Sequence, residues 1–131
     1  MSTNYEVAIE SFAKRHFIKT FAKKYKKAWN FTLSALAREF QSIDVILEKD
    51  IAEEITDKNA DVVICKTEFR VQGTQESRHG SGNRCIVAKH KNTNKVCVLL
   101  VYNKNDLGGG NETANWKRVI KENYSEYKNL L

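Results

Sequence analysis

The residues best suited to chemistry in this chain are cations set at the ends of strand-like runs. Arg84 opens the apolar run RCIVAKH directly after Gly82-Asn83, and Lys104 follows VCVLLVYN, two residues beyond Tyr102. Upstream, KTEFR sets Lys66, Glu68 and Arg70 at alternate positions. Successive side chains of a strand point to opposite faces, so these three share one face while Cys65, Thr67, Phe69 and Val71 share the other. By the same alternation Arg84, Ile86, Ala88 and His90 share a face, and so do Val96, Val98, Leu100, Tyr102 and Lys104. A guanidinium fork donates two parallel bonds to a phosphate, and a phenol at the strand rim stands beside it. The set therefore suits a phosphate-bearing ligand. The competing reading makes it the charged rim of a core hairpin, with Arg84 tied to Glu68 or to a C-terminal carbonyl.

Histidine is the natural acid–base group near neutral pH. His79 lies beside Arg78 in the polar loop QGTQESRHGSG, from which it could fold over the cations. His90 shares the face of Arg84 but sits roughly 20 Å along the strand, so it reads as a turn-edge residue. His16 reads as structural or exposed. Glu68 is either an ion-pair partner of Lys66 and Arg70 or a general base.

The elements that must position these groups follow from periodicity. NYEVAI is a short first strand. From Ser11 to about Ala28, Phe17, Ile18, Phe21, Ala22, Tyr25 and Trp29 recur at helical spacing. The remaining faces carry Lys14, Arg15, Lys19, Lys23, Lys24, Lys26 and Lys27, with no acid among them. Such a face is either solvated or a surface for RNA phosphates or an acidic partner. A second helix runs from Asn30 or Thr32 to about Gln41, with Asn30 as its N-cap, completing a helical hairpin. The acidic stretch from Glu39 to Asp61 reads as a solvated, partly helical connection, with no pair of carboxylates singled out by spacing. VVICKTEFRV and the hairpin either side of Lys91–Lys95 supply three further strands. Asp106–Asn111 ends the sheet, and an amphipathic helix follows over 112–127, with Trp116, Val119, Ile120, Tyr124 and Tyr127 on its apolar side.

Taken together, the chain is expected to form one α+β domain over residues 1–131. Its core is a small, mostly antiparallel sheet (a β-α-α-β-β-β meander) packed by the N-terminal helical hairpin, with a C-terminal helix added and the first strand closing onto one edge. The 22 Lys and Arg against 16 Asp and Glu leave a charge of +6, which favours anionic partners. The three cysteines sit in apolar runs without CxxC spacing and read as buried reduced thiols, which points to a cytoplasmic setting. MSTNYEVAIE lacks the apolar stretch of a signal peptide, and no run reaches the ~18 apolar residues of a membrane span.

The Lys-rich helix FIKTFAKKYKKAW, the basic strand KTEFRV with the GNR entry into the next strand, and the terminal VCVLLVYNK resemble, in that order, the RelE/ParE superfamily of type II toxins. The loop 72–82, the connection 42–60 and the C-terminal helix are elaborations on the compact members. The resemblance implies a cytoplasmic RelE-like toxin, a messenger-RNA endoribonuclease acting at the ribosome and held by a cognate antitoxin. The chain would then be a monomer or part of a toxin–antitoxin hetero-oligomer. Attack by the ribose 2′-hydroxyl on the adjacent phosphorus needs a base, an acid and cations, but neither metal nor cofactor. On this reading Arg84 clamps the phosphate, Lys66 and Arg70 neutralise charge, Lys104 donates a proton or stabilises charge, and Tyr102 stacks on a base. His79 or Glu68 completes the catalytic set. Lys19, Lys23, Lys24, Lys27, Arg78 and Lys89 would bind nucleic acid. Two other readings share the fold: a ParE-like gyrase-poisoning toxin, and a non-catalytic RNA-binding or regulatory module.

Overall fold

The structure, a computed structural model, describes residues 4–131. Its elements are β1 (Glu6–Ile9), α1 (Ser11–Ala13), a π-helical segment (Lys14–Ile18), α2 (Lys19–Tyr25), α3 (Lys27–Gln41), α4 (Ile43–Glu48), β2 (Ala52–Glu54), β3 (Val62–Phe69), β4 (Asn83–His90), β5 (Lys95–Asn103) and α5 (Glu112–Asn123), then a 3-10 helix, Ser125–Leu130. The strands form one mixed sheet in the order β1-β5-β4-β3-β2. β1 runs parallel to β5, and the other pairs are antiparallel.

The alternation in β3 separates two cores. Val63, Cys65 and Phe69 face Phe21, Trp29, Leu36 and Phe40 of the N-terminal helices. Ile64 faces the other way and joins Ile86, Leu100, Trp116, Ile120, Tyr124 and Tyr127 beneath α5. The sheet is thus buried on both faces, which explains why β4 and β5 read as nearly continuous apolar runs.

Four expectations are corrected. The second helix begins at Lys27, so Asn30 lies inside it and is not its cap. α2 and α3 are separated only by Lys26, whose φ of 52° breaks the helix without the Gly or Asn that would announce it. The acidic stretch is more ordered than a solvated connection: Ile43 and Ile46 bury α4, and β2 extends the sheet by pairing Ala52 with Thr67. The C-terminal α-helix stops at Asn123 rather than near Tyr127, because Tyr124 turns to an extended conformation and the 3-10 helix carries Tyr127 into the core.

The fourth correction decides where the site lies. β5 does not keep one alternation from Val96 to Tyr102. Ile86 pairs with Leu100 while Val87 pairs with Val98, which leaves Leu99 as an extra residue in a β-bulge. Val96 and Val98 therefore face the N-terminal helices, whereas Leu100 and Tyr102 face α5.

Candidate active site

Because of that bulge, Glu68, Arg84 and Tyr102 are register partners and make a single row across β3, β4 and β5. Lys66 lies two residues from Glu68 on the same face. The Arg84 side chain is only 5% exposed. Its Nη1 donates to the carbonyls of Asn83, at 3.2 Å, and His79, at 3.5 Å. Its buried Nε has no hydrogen-bond acceptor among the described residues. Two carboxylates approach that nitrogen at longer range, Glu112 Oε2 at 3.6 Å and Glu68 Oε1 at 4.0 Å.

Glu112, the first residue of α5, was not singled out by sequence reasoning, yet it is the centre of the cluster. Tyr102 OH donates to its Oε2 at 2.8 Å, and Lys66 Nζ lies 3.3 Å from the same oxygen. Burial acts to raise the Glu112 carboxyl, but the Tyr102 hydroxyl, Lys66 and Arg84 outweigh it and hold the group below the usual carboxylate range. For Tyr102, burial and the adjacent carboxylate both push the phenol well above its ordinary value. The only sequence cue to Glu112 was an acid just after Asn111, whose side chain caps α5 by accepting from Ala114 N at 3.0 Å.

His79 closes the outer side. Its Nδ1 is 3.0 and 2.9 Å from the two oxygens of Glu68, while its side chain is 85% exposed. The loop that brings it there is latched by Ser81, whose hydroxyl lies 2.6 Å from Phe69 O and 2.8 Å from Arg78 O and donates its one proton between them. Asn103 Nδ2 adds bonds to Ser81 O at 3.1 Å and Asn83 Oδ1 at 3.0 Å. Gly82 is required at the crossing. Its φ is 76°, and an added Cβ would come within 3.2 Å of the Asn103 amide and the Lys104 side chain. A cavity of about 370 Å³ opens beside His79, Glu68 and Lys66, walled by Asp50–Glu53 and Arg78.

The remaining sequence candidates lie elsewhere. Arg70 falls beyond the end of β3 and lines a groove against α3 with Thr32 and Glu39, so it does not continue the face of Lys66 and Glu68. Arg78 is a structural clamp: Nη2 bonds Glu39 Oε2 at 2.7 Å, and Nε donates to Glu68 O at 3.0 Å. Tyr102 is fully buried and cannot stack on a base. Lys89 cannot offer itself to nucleic acid either. It is buried on the opposite face, 3.1 Å from Asp44 and 3.7 Å from Glu54. Lys104 is exposed and packs on Gly82. Lys19, Lys23, Lys24 and Lys27 are exposed, and none is ion-paired among the described residues. No group of three or more His, Cys, Asp or Glu among the described residues could hold a metal ion.

The chain is an α+β domain with a five-stranded mixed sheet covered by helices on both faces. The structure is similar to the archaeal RelE–RelB complex from Pyrococcus horikoshii OT3, with a TM-score of 0.51 at 11% identity, over 79% of this chain and 99% of that one. At that identity the likeness concerns the fold. No protein-family model and no curated protein matches the sequence.

Proposed function

We propose that this chain is the toxin of a type II toxin–antitoxin pair, an endoribonuclease that cuts messenger RNA in the cytoplasm, in association with the ribosome. The observation that carries the reading is the row Glu68–Arg84–Tyr102 with Lys66 on one side and the exposed His79 on Glu68 at the other. His79, oriented through Nδ1 by Glu68, takes the proton of the ribose 2′-hydroxyl. The freed oxygen attacks the adjacent phosphorus, and Arg84 and Lys66 bind the negative charge that gathers on its oxygens. The bond to the 5′ oxygen breaks, leaving a 2′,3′-cyclic phosphate, and the departing oxygen takes a proton from the exposed Lys104. Tyr102 acts from within the core, its hydroxyl donating to Glu112 in the free protein. The partner is a cognate antitoxin, in keeping with the RelE–RelB pairing of the archaeal neighbour, and the exposed lysines of α2 and α3 suit an acidic segment of it.

Inducing the chain without a partner should arrest bacterial growth, with new message ends detected by primer extension. His79→Ala and Lys66→Ala should restore growth at equal soluble expression. Double-strand DNA breaks without cut messages would move the assignment to gyrase poisoning. Unimpaired growth in several hosts would count against any toxin.

A further inference from the structure

Three donors converge on one oxygen of Glu112, and they belong to the groups that surround the proposed phosphate site. Tyr102 OH is 2.8 Å, Lys66 Nζ 3.3 Å and Arg84 Nε 3.6 Å from Oε2. Arg84 supplies a second, independent sign. Its side chain is 95% buried, yet Nε lacks an acceptor among the described residues and lies 3.6 Å from this oxygen. An unpaired buried donor is costly, and a better-placed acceptor would satisfy it. A carboxylate oxygen so surrounded stands where a phosphate oxygen would be held.

The two ends of α5 are held differently. Trp116 and Ile120 anchor the helix and are fully buried. Apart from the contacts of the Glu112 carboxylate itself, the first turn is tied by the Asn111 cap and by Asn115 Nδ2 donating to Gly109 O at 3.2 Å. Just before it come Gly108, Gly109 and Gly110. Gly108 and Gly110 have φ of +89° and +88°, and a Cβ at any of the three would meet nothing within 4 Å. An unpacked triglycine ahead of a lightly tied turn is a hinge.

We propose that Glu112 is a built-in competitor for the phosphate site. In the free protein its carboxylate occupies the Arg84–Lys66–Tyr102 position. An RNA backbone phosphate displaces it as the first turn of α5 opens about Gly108–Gly110. This inference rests on the reading of the cluster as a phosphate site. It gives the free toxin a lower affinity for RNA than its cations alone would provide.

The test uses the full chain and a 5′-phosphorylated 2′-O-methyl RNA oligonucleotide, which cannot be cut because the attacking hydroxyl is blocked. Binding is read by fluorescence anisotropy. Glu112→Gln should tighten binding roughly tenfold, the scale of one charge-assisted contact. The gain should vanish in an Arg84→Ala background, and Glu122→Gln, an exposed acid later on α5, should show little gain. Hydrogen exchange at residues 112–115 of the unmodified protein should accelerate when the probe binds. If Arg84→Ala weakens binding but Glu112→Gln does not tighten it, the competitor is overturned and the phosphate site stands. If Arg84→Ala leaves binding unchanged, the phosphate site fails and the inference with it. Should Glu112→Gln not fold, exchange in the unmodified protein decides: unchanged or slower exchange in that turn overturns the proposal.

Discussion

Arg84 holds its charge where the surrounding strands leave the stem almost no freedom, so its guanidinium reaches the site already oriented. Such preorganisation is worth more in a transition state than in the ground state, and losing one donor costs on the order of 10²–10³ in rate. The same burial gives Arg84 a structural role, since its removal leaves Glu112 and Glu68 facing each other without it. Both carboxylates retain a quarter or more of their exposure. The penalty should therefore fall below the ~3–5 kcal/mol of a fully buried pair, at about 2 kcal/mol. Arg84→Ala is expected to melt roughly 5–10 °C early and to be inactive. Arg84→Lys should recover most of the melting temperature and only part of the activity, because an ammonium keeps the charge and loses the fork. Thermal melts beside cleavage rates check this, and a variant that folds normally with full activity would remove Arg84 from the site. Glu112 adds a pH dependence. Its folded pKa is depressed, so its contribution to stability is complete above the ordinary carboxylate value of 4.5 and is lost as pH falls through the lowered one. The melting advantage of the unmodified protein over Glu112→Gln should be constant from pH 7 to about 5 and should shrink below about 4. An advantage that grows on acidification would contradict this.

β5 shows at the level of the element why part of the site was legible and part was not. Lys66, Glu68 and Arg84 lie on one face because β3 and β4 keep strict alternation, which can be read one strand at a time. Tyr102 joins them only through the bulge at Leu99, and a bulge is a property of two strands in register. Lys89 escaped for a related reason: the acids that bury it, Asp44 and Glu54, arrive from α4 and β2, elements that charge alone made look solvated. Glu112 is reached from a helix a glycine loop away, a contact no local pattern encodes. The bulge makes a sharp prediction. Leu99 is the extra residue, so deleting it would restore plain alternation and leave Tyr102 opposite Arg84 and facing α5. The deletion should destabilise about as much as Leu99→Ala, itself expected to cost about 2–5 kcal/mol, and should keep Tyr102 beside Glu112. Urea titration of the two variants decides, and a deletion that unfolds far more easily than Leu99→Ala would mean that the strand register depends on more than this one residue.

Across the whole molecule, the sheet separates a cationic helical layer from the layer that α5 forms over the site. The net charge of +6 is concentrated on exposed lysines of α2 and α3, and these are not paired among the described residues. Binding to RNA should therefore weaken steeply with salt, because each phosphate contact releases counterions. Replacing Lys19, Lys23, Lys24 and Lys27 by Gln should flatten that dependence without changing the melting temperature by more than a few degrees. Affinity that barely changes between 50 and 200 mM salt would remove this surface from RNA binding. No described helix is long and apolar enough to cross a membrane. Burial pushes the Cys65 thiol up to about 12, so it stays protonated and inert. The chemistry of the product ends decides whether the proposed reaction takes place. Purified protein should be incubated with message, alone and on ribosomes, and the new ends mapped. Attack by the 2′-hydroxyl should leave 2′,3′-cyclic phosphate and 5′-hydroxyl ends that disappear with His79→Ala. No cleavage under either condition, or 3′-hydroxyl and 5′-phosphate ends indifferent to His79, would contradict it.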